Sequence, residues 1–171
     1  MKFTTLLAPL ALASHALADG KAIVTALTTV DETTIKLGNA VNKWKGDIFG
    51  TLPIVAESTT LLVQVKKGQK VAEESEPLDF YATLDVATAT NKLVTSVNTT
   101  LSALIAKKHN FDKLLMSPLI FVNLELQKHA TTDMSKAIIE KVPAQLQDLA
   151  KSLVKPIDDS FEKAIDAFHR L

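Results

Sequence analysis

Apolar residues recur along this chain at steps of three and four, and nowhere for long at steps of two. That is the period of one helix face, and no Asn-Gly or Asp-Gly pair signals a β-hairpin. Ile23, Leu27, Val30, Thr34, Leu37, Val41 and Trp44 form the first such seam. The two glycines of Gly46-Asp47-Ile48-Phe49-Gly50 end it, and Pro53 sits where a second helix has its first turn. That helix runs to about Ala72 through Ile54, Ser58, Leu61, Val65 and Gly68. A polar connection with Pro77 follows, in which Ser75 is the expected N-cap of a third helix over 78–108. Its expected inner line is Phe80, Leu84, Ala87, Asn91, Val94, Leu101 and Ile105, widened by Leu93, Val97 and Leu104. Further on, Met134, Ile138 and Val142 are spaced by four, Val142-Pro143 breaks the pattern, and a last helix carries Leu146, Leu149, Leu153, Ile157, Phe161, Ala164 and Phe168.

Between these amphipathic segments lies FDKLLMSPLIFVNLELQ, residues 111–127, whose apolar positions cover nearly every direction around a helical axis. A helix apolar all round belongs inside a shell of others or in a bilayer. The stretch is broken by charges and is shorter than the ~20 residues of a span. It is therefore expected to be the central element of the fold, with Pro118 either kinking it or dividing it in two. The predicted architecture is all-α: one antiparallel bundle of about five helices, some kinked by proline, around this centre.

Composition narrows the setting. Lys+Arg and Asp+Glu number 19 each, which removes the field expected of a nucleic-acid binder. Lys2, an apolar run from Phe3 to Leu12 and the small-x-small Ala16-Leu17-Ala18 have the form of a secretory signal. Cleavage after Ala18 is expected, leaving 19–171 as a single domain, secreted and without a transmembrane span. The C-terminal residues lack the pattern of a lipid-anchor signal. Cysteine is absent, so a secreted domain of this kind would rest on helix packing alone.

Little in the chain speaks for catalysis. His109, His129 and His169 are far apart, no nucleophile elbow, zinc-protease, P-loop or dinucleotide motif is present, and no enzyme activity, cofactor or metal is expected. His129 and Asp133 could share a metal across one helical turn, but a zinc site needs at least three protein ligands, so they read as surface residues. Asn98-Thr99-Thr100 is an N-glycosylation sequon. Polar residues on the apolar lines offer binding chemistry. Thr34, Ser58 and Asn91 sit mid-stripe on successive helices and could meet the head group of an apolar ligand, and Leu101, Leu119 and Val122 are further ligand-binding candidates. The plainer alternative is that Thr34 and Ser58 bond back to a carbonyl one turn earlier and that Asn91 faces a boundary.

Several motifs together resemble the fungal hydrophobic surface-binding protein A family, which includes antigenic cell-wall galactomannoproteins. They are the signal ending in Ala-Leu-Ala, Val30-Asp31-Glu32-Thr33-Thr34, Phe111-Asp112-Lys113 followed by Ser117-Pro118-Leu119, the Val142-Pro143 break, and Phe161…Ala164-Ile165…Phe168. The resemblance implies a secreted, often glycosylated helical bundle of the extracellular space or cell wall. It further implies adsorption to hydrophobic surfaces, recruitment of a secreted polyester-degrading enzyme, and in some members a fatty acid or other lipid held between helices. Three readings follow: a lipid-binding protein, a structural wall mannoprotein with a filled core, and an adsorption protein without a pocket. Burial of an acyl chain gains about 0.8 kcal/mol per CH₂, so a lipid needs few polar contacts.

Overall fold

A computed structural model describes residues 8–169, with side chains from Asp19 onward. The helices are α1 (Ala8–Lys43), α2 (Thr51–Glu74), α3 (Phe80–Ala106), the short α4 (Lys108–Lys113), α5 (Ser117–Lys141) and α6 (Gln147–His169), with a 3₁₀ turn at Ala144–Leu146. The first seven residues of the expected signal lie outside the described residues. No described helix is long and apolar enough to cross a membrane.

Local chemistry explains most of the boundaries. Asp79 caps α3 by accepting from the Ala82 N–H at 2.7 Å. The expected cap, Ser75, instead closes α2, its hydroxyl donating to the Val71 carbonyl. Pro118 lies in the first turn of α5, where its missing N–H costs nothing. The apolar stretch is thus divided rather than kinked, at the turn Leu114–Met116.

The long helices close into a ring: α1 packs on α2 and α3, α2 on α5, α5 on α6, and α6 back on α3. Consecutive helices alternate in direction, as expected of an up-and-down bundle. Lys128 bonds Glu162 while Thr132 bonds Asp158, so α5 and α6 are antiparallel. Neighbours that are not consecutive run parallel. Gly20 meets Ala82 and Gly38 meets Thr100 between α1 and α3; Ser58 meets Asn123 and Lys141 meets Glu73 between α2 and α5.

No helix occupies the centre, which corrects the expectation for 111–127. Phe111 is fully buried on α4, but Leu115 is 88% exposed, Val122 and Leu126 face outward from α5, and Leu119 is more than half exposed. Of that part of α5, Ser117, Ile120, Leu124 and Gln127 are buried. The inner line of α3 is also rotated from the one expected: Ala82, Val86, Leu93, Val97, Leu101 and Leu104 are buried, whereas Phe80, Leu84 and Asn91 are exposed.

A ring has a geometric consequence. With neighbouring axes about 8–10 Å apart, five helices stand about 7–8.5 Å from the common axis, against about 6–7 Å for four. Side chains must fill that extra space, and here many inward residues are Val, Ala, Thr or Ser. At one end aromatics fill it: Phe111 lies 4.2 Å from Trp44 and 5.9 Å from Phe168 between ring centroids. Away from this plug the packing leaves open space between the helices.

Candidate functional site

Two cavities follow one another along the axis. The smaller, about 100 Å³, lies next to the aromatic plug and is lined by Thr34 and Leu37 of α1, Ile54 to Leu61 of α2, Val97 to Leu104 of α3, Leu119 to Gln127 of α5, and Phe161 of α6. The larger, about 660 Å³, is lined by Leu27 and Val30, Val65, Phe80 to Leu93, Thr131 to Val142, and Leu146 to Ile157. On every helix of the ring one turn separates the two linings: Val30 from Thr34, Leu61 from Val65, Leu93 from Val97, Gln127 from Thr131, Ile157 from Phe161. The larger cavity falls within the ~300–1,000 Å³ typical of small-molecule sites. The smaller is below the ~150 Å³ that holds a benzene, and so suits a head group rather than a chain.

Polar groups gather in the smaller chamber. Ser58 Oγ donates to Asn123 Oδ1 at 2.6 Å, and Gln127 Nε2 donates to the Ser58 carbonyl at 2.7 Å. Gln127 is 3% exposed, and its Oε1 has no hydrogen-bond partner. A buried acceptor left unpaired costs about 1–3 kcal/mol, which a ligand donor would recover. On the opposite wall Thr100 Oγ1 donates to the Thr34 carbonyl at 3.0 Å.

Of the residues expected at the site, Thr34, Ser58, Leu101 and Leu119 line this chamber. The Thr34 hydroxyl donates to the Val30 carbonyl one turn earlier, as the plainer reading had it, whereas Ser58 reaches across to α5. Asn91 does not join them: it is an exposed residue at the rim of the larger cavity. Val122 is 53% exposed and lines neither cavity, because the inward face of α5 is the Ile120–Leu124–Gln127 face. Asn98 is half-buried, with its Oδ1 accepting from Ser160 of α6. Sequence reasoning missed Asn123, Gln127 and Thr100. The i, i+4 spacing of Asn123 and Gln127, which puts both on one helix face, was the available signal. His129 and Asp133 are 3.4 Å apart at the surface, and no group of three metal-ligating side chains forms among the described residues.

Comparisons with known proteins agree with this architecture. The chain superposes on AFMP4P in complex with palmitic acid with a TM-score of 0.84 at 24% identity, covering 87% of this chain and 99% of that one. It superposes on ligand binding domain 1 of the MP1 protein of Penicillium marneffei, complexed with arachidonic acids, with a TM-score of 0.84 at 19% identity, over 88% and 98% of the two chains. In sequence it is 27% identical to cell wall mannoprotein 1 of Aspergillus fumigatus over 98% of this chain and 60% of that protein. It is 24% identical to the Aspergillus flavus protein of the same name, over 83% and 51%. The chain thus spans between half and two thirds of the length of these curated relatives. The family model for hydrophobic surface binding protein A matches residues 20–140, well over half of the chain, and the protein belongs to that family.

Proposed function

We propose that the protein binds a single-chain lipid, a fatty acid or close relative, along the axis of the helical ring. The observation that carries this reading is the apolar cavity of about 660 Å³, which ends one helical turn from a small chamber containing an unpaired amide oxygen. Ten buried methylenes at about 0.8 kcal/mol each would give about 8 kcal/mol, a micromolar affinity without any head-group contact. The palmitic and arachidonic acids held by the structural relatives are ligands of this chemistry. The cavity weighs against a wall protein with a filled core. Native mass spectrometry of the purified protein should find a lipid-sized adduct, and added palmitic acid should raise the melting temperature by linkage. Absence of both the adduct and saturable binding would overturn the reading.

A second activity, adsorption to hydrophobic surfaces, is favoured by a specific patch. Phe49 and Leu52 at the start of α2, and Leu115, Leu119, Val122 and Leu126 at the start of α5, are exposed, and the two helices pack together. No charged residue occurs in 48–56 or 114–124. Exposed apolar patches of this kind mark interaction sites. Secretion after cleavage at Ala18, residence in the extracellular space or wall, a glycan on Asn98 and recruitment of a polyester-degrading enzyme belong to the same proposal. N-terminal sequencing of the secreted protein should begin at Asp19.

A further inference from the structure

We propose that the smaller chamber selects acyl chains whose head group is uncharged and carries an O–H donor: a protonated carboxylic acid or an alcohol, rather than a carboxylate or an ester. The inference rests on the acyl-chain reading above and specifies its ligand.

The orientation of the Gln127 amide is forced by its neighbour. Nε2 lies 2.7 Å from the Ser58 carbonyl, and the opposite orientation would set two acceptors against each other. Oε1 is therefore the free atom, on a side chain 97% buried and lining the chamber. It can be satisfied only by a donor. A carboxylate has none and would place its negative charge against an acceptor.

Nothing in the chamber compensates an anion. Among the described residues, no Asp, Glu, His, Lys or Arg lines it. The charged residues closest in sequence to the polar cluster, Glu57, Glu125 and Lys128, are not part of the lining, and Lys128 is paired with Glu162 at 3.1 Å. Burial without a counter-charge disfavours the ionised form of a carboxyl group and raises its pKa. Ser58 gives its proton to Asn123 Oδ1, so the Asn123 amide nitrogen is the donor left at this wall. A protonated carboxyl group matches the pair, with O–H to Gln127 Oε1 and C=O to Asn123 Nδ2. An alcohol satisfies the first alone.

The test measures binding of hexadecanol, palmitic acid and methyl palmitate, each below its aggregation concentration, at pH 5 and pH 8. Hexadecanol should bind about tenfold tighter than methyl palmitate at both pH values, the effect of one hydrogen bond to a buried acceptor. Palmitic acid should bind at least tenfold more weakly at pH 8 than at pH 5. Gln127→Leu keeps the volume and removes the acceptor. It should bring hexadecanol to the level of methyl palmitate, and a cooperative thermal melt of the variant reports that the fold is intact. Equal binding of alcohol and ester by the unmutated protein, a preference that survives Gln127→Leu, or palmitic acid affinity that is flat with pH would each overturn the inference. If none of the three binds, the acyl-chain reading itself falls, and this inference with it.

Discussion

Gln127 on α5 reaches α2 through a 2.7 Å hydrogen bond from its Nε2 to the backbone carbonyl of Ser58. The contact joins two parallel helices in the lining of the polar chamber, one turn from the lining of the apolar cavity. It keeps a second amide atom turned inward without a partner. Buried polar groups are normally satisfied, and an exception in a hollow core points to an occupant.

Filling the larger cavity should separate stability from binding. Ala87 is half-buried in its lining, and Ala87→Phe would occupy volume now open to a chain. Palmitic acid affinity should fall at least tenfold, while the ligand-free melting temperature stays equal or rises. Calorimetric titration and a thermal melt read both.

Two helical glycines should respond differently to alanine. A Cβ on Gly38 would stand 2.6 Å from Thr100 Oγ1, which bonds the Thr34 carbonyl and belongs to a stiff β-branched side chain. Gly38→Ala should lose about 1–2 kcal/mol in urea unfolding. A Cβ on Gly68 meets the flexible tip of Met134, at 2.6 Å. Gly68→Ala should stay within about 1 kcal/mol, because helix propensity gains as much. By pushing Met134 into the cavity it lines, the same change should weaken lipid binding.

The weight of the core lies at the aromatic plug. Phe111→Ala should cost about 3–5 kcal/mol, given full burial between Trp44 and Phe168. Val122→Asp should change stability by no more than about 0.5 kcal/mol, since the side chain faces solvent. Denaturant midpoints of the two variants check the pair.

Leu115 holds a left-handed backbone, φ 56°, while exposing its side chain almost fully. For a residue with a Cβ that conformation costs about 1–2 kcal/mol. Leu115→Gly should therefore leave stability equal or higher, yet reduce adsorption to a hydrophobic plate or particle. Undiminished adsorption would remove this turn from the surface-binding patch.

The same turn carries a pH dependence. Hydrogen bonds from Lys108 and Ser117 hold the Asp112 carboxyl below its ordinary value. A lowered folded-state pKa contributes stability above the unfolded value, about 3.9, and loses it as pH falls through the folded one. Asp112→Asn should lower the melting temperature at neutral pH, and the difference from the unmutated protein should vanish in acid below both values.

Much of this fold was legible in periodicity. The seam from Ile23 to Trp44, the line Ile54–Ser58–Leu61–Val65, the Val142-Pro143 break and the inward Ile157, Phe161, Ala164 and Phe168 are local patterns, and they are buried as the spacing predicts. Pro118 and the Gly46–Gly50 segment mark ends through backbone geometry that each residue carries with it. Such features depend on neighbours within one or two turns, which a single sequence contains.

What the tertiary structure alone decided was which way the ambiguous faces turn. The stretch 111–127 is apolar on all sides, so its sequence fits a central helix as well as an outer one. Closure of α1, α2, α5, α6 and α3 into a ring left no central place, and Val122 and Leu126 went outside. On α3 two apolar lines competed, and packing against α1 buried the one with Ala82 and Thr100, whose small side chains allow close approach, leaving Asn91 at a rim. Ser58 is 65 residues from Asn123 and 69 from Gln127, on another helix. Their meeting depends on the register between those helices, a long-range relation that no local period encodes.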